Sequence, residues 1–139
     1  MLLSENIKGL LQETIKDAPL LEGKTPPIYT SMIITNRGSI LWYVNNKTPE
    51  TYNSSVTNLK MMALLIKDKW CEDKDSVPAD TIHHFELEDL HIALSRIPDS
   101  DLLLVYIAGN EFPNGLLGLK LKYSLEAFRD LHGYRLAGN

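Results

Sequence analysis

The chain has 139 residues, with 14 basic and 18 acidic side chains and a formal net charge of −4. Hydrophobic residues make up 44% and charged residues 23%, which excludes a mostly disordered chain and fits one domain over residues 1–139 with no need of a disulfide or metal staple. The acidic balance argues against nucleic-acid binding, which needs a positive footprint to displace counterions, and the lone Cys71 excludes an internal disulfide and fits a reducing compartment.

The predicted elements follow in chain order. Leu3, Ile7, Leu10, Leu11 and Ile15 recur at helical spacing and predict an amphipathic helix that stops before Pro19. After the loop at Gly23 to Pro27, the runs Tyr29 to Thr35 and Ser39 to Val44 are rich in β-branched and aromatic residues. Asn36-Arg37-Gly38 between them predicts a β-hairpin in which the glycine takes positive φ.

The longest helix is expected at about 53–72. Leu59, Met62, Ala63, Ile66 and Trp70 form a broad apolar stripe on it, and Met61, Leu64 and Leu65 form a narrower patch on the opposite flank. One side can lie on the domain's own sheet; the other asks for a partner. Cys71 to Ala79 reads as an acidic loop closed by Pro78.

Three strand-like segments follow, at Thr81 to Leu87, Leu90 to Ile97 and Asp101 to Ala108. In the second, Leu90, Ile92 and Leu94 alternate with His91, Ala93 and Ser95, predicting one inward and one outward face. The third is apolar throughout and reads as a central strand buried on both faces. A last helix is expected over Leu117 to Leu131, with Leu121, Leu125, Phe128 and Leu131 on one face. The resulting order, α-β-β-α-β-β-β-α, belongs to the α/β (α+β) class as a five-stranded antiparallel sheet with helices on its faces.

No apolar run reaches the roughly 18 residues of a membrane span. The opening Met-Leu-Leu-Ser-Glu-Asn lacks the basic flank and cleavage site of a secretory signal, and no lipidation box stands at either end. The sequons at Asn46 and Asn53 therefore carry no expectation of glycosylation. Something else is expected to hold the chain wherever it meets a membrane.

Candidate chemistry is thin. Ala18 to Thr25 satisfies a relaxed phosphate-binding loop, but a helix precedes it, Pro26-Pro27 follows it, and Glu22 would stand beside the phosphates. His83, His84 and His91 suggest a metal site only until strand geometry is considered, because neighbours on a strand point to opposite faces. Cys71 has no identifiable base beside it, and no nucleophile elbow frames a serine. The expectation is no catalytic residue, no metal site and no cofactor.

Several blocks are more specific than the topology. NLKMMALLIKDKWCED at 58–73, LEDLHIALSRIPDSDLLLVYIA at 87–108, FPNGLLGLK at 112–120, SMIITNRGSIL at 31–41 and HGYRL at 132–136 closely resemble the roadblock/LC7-like family. Within it they are most similar to the roadblock-type subunits of the fungal EGO complex and its animal counterpart, the Ragulator.

The resemblance implies a non-enzymatic scaffold that pairs with a second roadblock-type subunit as a heterodimer, with a homodimer the arrangement open to it when alone. A lipidated tethering subunit would hold the pair on the cytoplasmic face of the vacuolar (late endosomal or lysosomal) membrane, without direct insertion. The assembly would anchor a Rag-type GTPase heterodimer and support TOR kinase nutrient signalling and microautophagy. Against that family, the acidic loop at Cys71 to Ala79 is shorter than in the budding-yeast member.

Taken with the second flank of the long helix, the resemblance places the partner-binding residues at Met61, Leu64, Leu65 and Lys69 and at Ile82, His83, His84 and Phe85 on an otherwise open strand edge. The alternative is a roadblock-type homodimer acting directly on a small GTPase as a regulator or activating protein, although the sequence offers no evident arginine finger: Arg37 sits in a hairpin turn and Arg96 at a strand end. A small-molecule sensor is a third class, and no cluster of polar residues in the sequence points to its pocket.

Overall fold

The computed structural model describes residues 4–15, 27–46 and 48–136. Helix α1 spans Ser4–Thr14, strands β1 and β2 span Ile28–Thr35 and Ile40–Asn45, and helix α2 spans Val56–Asp73. Strands β3, β4 and β5 span His83–Leu87, Leu90–Arg96 and Leu102–Gly109, and helix α3 spans Asn114–Ala127. The expected order α-β-β-α-β-β-β-α is the observed one. The sheet is antiparallel throughout, in the order β2-β1-β5-β4-β3.

Strand β5 lies at the centre because its residues can tolerate water on neither face: Leu102 to Ala108 are all fully buried. Its even and odd positions feed two separate cores. Leu102, Leu104, Tyr106 and Ala108 face α1 and α3, where they meet Ile7, Leu11, Phe112, Leu117, Leu121 and Phe128. Leu103, Val105 and Ile107 face α2, where they meet Leu59, Met62, Ala63, Ile66 and Trp70. The molecule is thus three layers, with α1 and α3 on one side of the sheet and α2 alone on the other.

The turns follow from local chemistry. Gly38 takes φ +88° in the β1–β2 turn and lies beneath Leu64, so an added Cβ would stand 2.9 Å from that leucine's Cδ2. At the start of α2, Ser55 Oγ accepts the amide of Asn58 at 3.2 Å, satisfying one of the free N–H groups of the first turn. One buried hydroxyl chain is satisfied within the fold: Tyr106 donates to Ser124, which donates to the Lys120 carbonyl at 2.8 Å, and burial pushes the Tyr106 pKa up to about 12.

Four details differ from expectation. The stretch at Cys71 to Ala79 is not all loop, since α2 continues to Asp73 and a 3-10 turn covers Lys74–Ser76, with the Lys74 amide bonded to the Trp70 carbonyl. Helix α3 begins at Asn114 rather than Leu117, because Pro113 supplies the extended residue before it despite two early glycines. Its expected C-terminal end at Phe128 to Leu131 lies instead beyond the helix, in a 3-10 turn at Arg129–Leu131. The outward face expected for β4 is covered: Ala93 and Ser95 are fully buried, their small side chains facing the α1 and α3 layer. The phosphate-loop-like stretch at Ala18 to Thr25 and the predicted stop before Pro19 lie outside the described residues.

Candidate functional site

Helix α2 lies on one face of the sheet, and among the described residues no further element covers its outer side. Its inner stripe is complete: Leu59, Ala63 and Ile66 are fully buried, and Met62 and Trp70 nearly so. On the outer flank Met61 is 56%, Leu64 50% and Leu65 42% exposed. Three large apolar side chains on adjacent turns of one helix face make a contiguous patch, the kind of surface that marks an association site. Lys69 lies at the patch's border and pairs with Glu72 at 3.7 Å, while Lys67 pairs with Asp68 at 2.6 Å, which raises the Lys67 pKa.

The second component is the sheet edge. Among the described residues β3 pairs only with β4, and its register runs unbroken from His83↔Leu94 to Leu87↔Leu90. Its other edge therefore presents the backbone groups that a further strand would take up. The four residues expected there divide between the two faces of the sheet. Phe85 packs on the α2 core, and His83 lines a cleft with Trp70 and Lys74. Ile82, one residue before the strand, packs on the α1 and α3 core, and the His84 imidazole lies against the Gly118 backbone of α3, where a Cβ would be 2.7 Å from Nε2. The structure thus brings Met61, Leu64, Leu65 and Lys69 onto one helix flank and separates His83 and Phe85 from Ile82 and His84 across the sheet.

Burial pushes the pKa of His83 down, opposed by the charge of Asp73. Burial also lowers that of His84, helped by His83 and His91. His91 bridges the β3–β4 hairpin to the loop between β5 and α3, with Nδ1 2.8 Å from the Phe112 carbonyl and Nε2 3.2 Å from Glu86. This is a structural brace, and no sequence pattern announced it.

Two clefts flank α2, and neither was legible in the sequence. One, of about 480 Å³, opens beside the N-terminal half of the helix, against Met61, Met62, Leu65, Leu87 and Leu90. Its wall is ordered by Tyr29 stacked at a tilt on Tyr52, 4.9 Å between ring centroids, and by the Tyr52 hydroxyl 2.7 Å from Thr30 Oγ1. Thr30 gives its own proton to Asn45 at 2.7 Å, so the Tyr52 hydroxyl donates to it. The other cleft, of about 460 Å³, lies at the far end against Trp70, Lys74, Asp75, His83, Arg96 and Asp101.

The two arginines named above are placed differently. Arg96 donates through Nε to the Ser100 carbonyl at 2.8 Å and so closes its own turn. Arg37 is exposed in the β1–β2 turn. Cys71 is exposed near the end of α2. Among the described residues no helix is long and apolar enough to cross a membrane.

Comparison with known proteins places this architecture. The family described as Protein SLM4 matches residues 1–136. Protein SLM4 of Saccharomyces cerevisiae is 42% identical over 159 aligned positions, covering 98% of each chain. The alignment is longer than the 139 residues here, so the relative carries additional residues within the matched span. The fold also matches the gliding protein MglB of Thermus thermophilus, at a TM-score of 0.68 and 16% identity over 92% of this chain and 89% of that one. A roadblock/LC7 domain from Streptomyces avermitilis matches at 0.61 and 13%, over 88% and 94%. At those identities the likeness is one of fold, and the chain belongs to the Protein SLM4 family on a roadblock/LC7 fold.

Proposed function

We propose that this chain is a non-catalytic scaffold subunit that pairs, through the outward flank of α2 and the open edge of β3, with a second roadblock-type subunit. The observations that carry the reading are the exposed patch of Met61, Leu64 and Leu65 and the edge of β3 that is unpaired among the described residues, with Met61 and Leu65 sharing a cleft with Leu87 at the end of that strand. An exposed apolar helix flank and an open strand edge are both satisfied when a partner adds its own helix and strand. In its finer form the reading follows the blocks that resemble roadblock-type subunits of the EGO and Ragulator complexes. The pair sits on the cytoplasmic face of the vacuolar membrane, held by a lipidated subunit, and anchors a Rag-type GTPase heterodimer for TOR signalling and microautophagy.

The membership in the Protein SLM4 family and the roadblock fold support the reading, as does the position of Arg96, whose guanidinium serves its own turn rather than a neighbour's active site. The test is the double variant Met61→Asp with Leu65→Asp, purified from the source cell. It keeps the circular dichroism of the parent and loses a second roadblock-type subunit on a sizing column. A normal complex from that variant contradicts the proposal, as would native purification that yields no roadblock-type partner.

A further inference from the structure

The groove beside the N-terminal half of α2 is lined by charge of one sign only. Its floor is apolar, from Met61, Met62, Leu65, Leu87 and Leu90, and the charged residues that line it among the described ones are Glu88 and Asp89. Both belong to the two-residue turn joining β3 to β4, where the backbone holds Glu88 at φ 56°. A third carboxylate stands near: after burial, the charge of Glu111 is what raises the pKa of Tyr29 on the groove's wall. The cleft at the other end of α2 is mixed, with Lys74, His83 and Arg96 alongside Asp75 and Asp101. Charge of acidic sign alone is therefore particular to the first groove, whose other polar lining, Thr51, Asn53, Asn58 and Asn110, is neutral.

We propose that this groove receives a segment of a different polypeptide that presents an apolar side chain flanked by lysine or arginine. The inference rests on the docking-face reading, because Met61 and Leu65 belong to both surfaces. The floor desolvates the apolar anchor, and the rim carboxylates favour cations beside it and disfavour acidic competitors.

A second copy of this chain is the poorer occupant. Of the three lysines on its α2, two are already matched, Lys67 by Asp68 at 2.6 Å and Lys69 by Glu72 at 3.7 Å, which leaves Lys60 alone to meet the rim. Each copy also carries a net charge of −4, so self-association brings like charge to an acidic rim.

The experiment places a photo-crosslinking residue in the full chain in its source cell, either at Asn110 on the groove wall or at Leu64 on the helix flank outside it. The captured peptides are then sequenced by mass spectrometry. Capture at Asn110 of a peptide from another protein, with Lys or Arg beside an apolar residue, is the expected result. Neutralising the rim with Glu88→Gln and Asp89→Asn, which keeps the turn's shape, should lower that capture roughly tenfold and weaken its salt dependence.

An acidic or uncharged peptide at Asn110, a peptide of this chain itself, or capture unchanged by the neutral rim overturns the proposal. So does silence at Asn110 while Leu64 captures a partner. Silence at both positions overturns the docking face as well, which separates the two failures.

Discussion

The two faces of α2 are built from the same kinds of side chain and end in opposite situations. Leu59 and Ile66 on the inner face are fully buried against β1, β4 and β5, while Leu64 and Leu65, on the same helix, are half exposed. Apolar content alone does not distinguish them. The difference lies in what each face meets: the inner stripe finds Leu103, Val105 and Ile107 of the central strand, and the outer one finds no matching layer within the described chain. A helix with two apolar sides in a three-layer domain is half a core waiting for its other half.

The sharpest way to break this comparison is a matched pair of identical truncations. Leu59→Ala removes a side chain with no exposure and leaves a cavity, so it should cost about 2–5 kcal/mol in a urea melt of the isolated chain. Leu65→Ala makes the same chemical change at 42% exposure and should cost under about 1 kcal/mol. Equal losses would mean the outer face is already engaged within the chain.

Ser55→Ala separates the helix from its faces. It removes the side-chain acceptor for the Asn58 amide and should cost about 1 kcal/mol, by weakening the start of α2 without touching either stripe. A loss well above that, in the same melt, would show that the outer flank depends on the cap.

The smallest effect concerns the edge strand beside α2. His83 and His84 both have folded pKa values below the ordinary 6.5, chiefly because burial disfavours their charged forms. The unfolded chain therefore binds more protons just below that value, and stability falls as pH drops from 6.5 toward the lowered values. Melts between about pH 7.5 and about pH 5.5 should show a decline that His84→Gln reduces. The parent and the variant falling together would assign the decline elsewhere.

Much of the fold was legible because its signals are periodic. The inner stripe of α2 is a 3.6-residue pattern, the Asn36-Arg37-Gly38 turn carries its positive φ at Gly38, and the continuous apolar run of β5 identifies the central strand. The covered second face of β4 was not legible. Its small residues Ala93 and Ser95 read as a solvent face in the sequence, although in the fold they allow close approach of the helical layer. The start of α3 was hidden by Gly115, a residue type that lowers helix propensity, while Gly118, inside the expected span, is needed where the His84 ring lies on the helix.

The candidate site divides in the same way. Met61, Leu64 and Leu65 stand out from sequence as an apolar patch on the wrong side of a helix, and the structure leaves them exposed. The division of His83 and Phe85 from Ile82 and His84 also follows from strand alternation. The groove does not: its acidic rim comes from the β3–β4 turn and its wall from Tyr29 and Tyr52, segments distant in sequence that only the sheet order brings together.

The sheet has two edges, and they offer the most direct test of the docking account. The ladder of β2 with β1 is interrupted by a register shift between Ile33 and Ile34, whereas that of β3 with β4 is unbroken, and a bulge twists an edge away from further pairing. Amide hydrogen exchange of the chain alone, and of the complex purified through it, reads both edges at once. The account predicts that amides of β3 slow by about tenfold or more in the complex while those of β2 keep their rates. Protection at β2, with β3 unchanged, would contradict it.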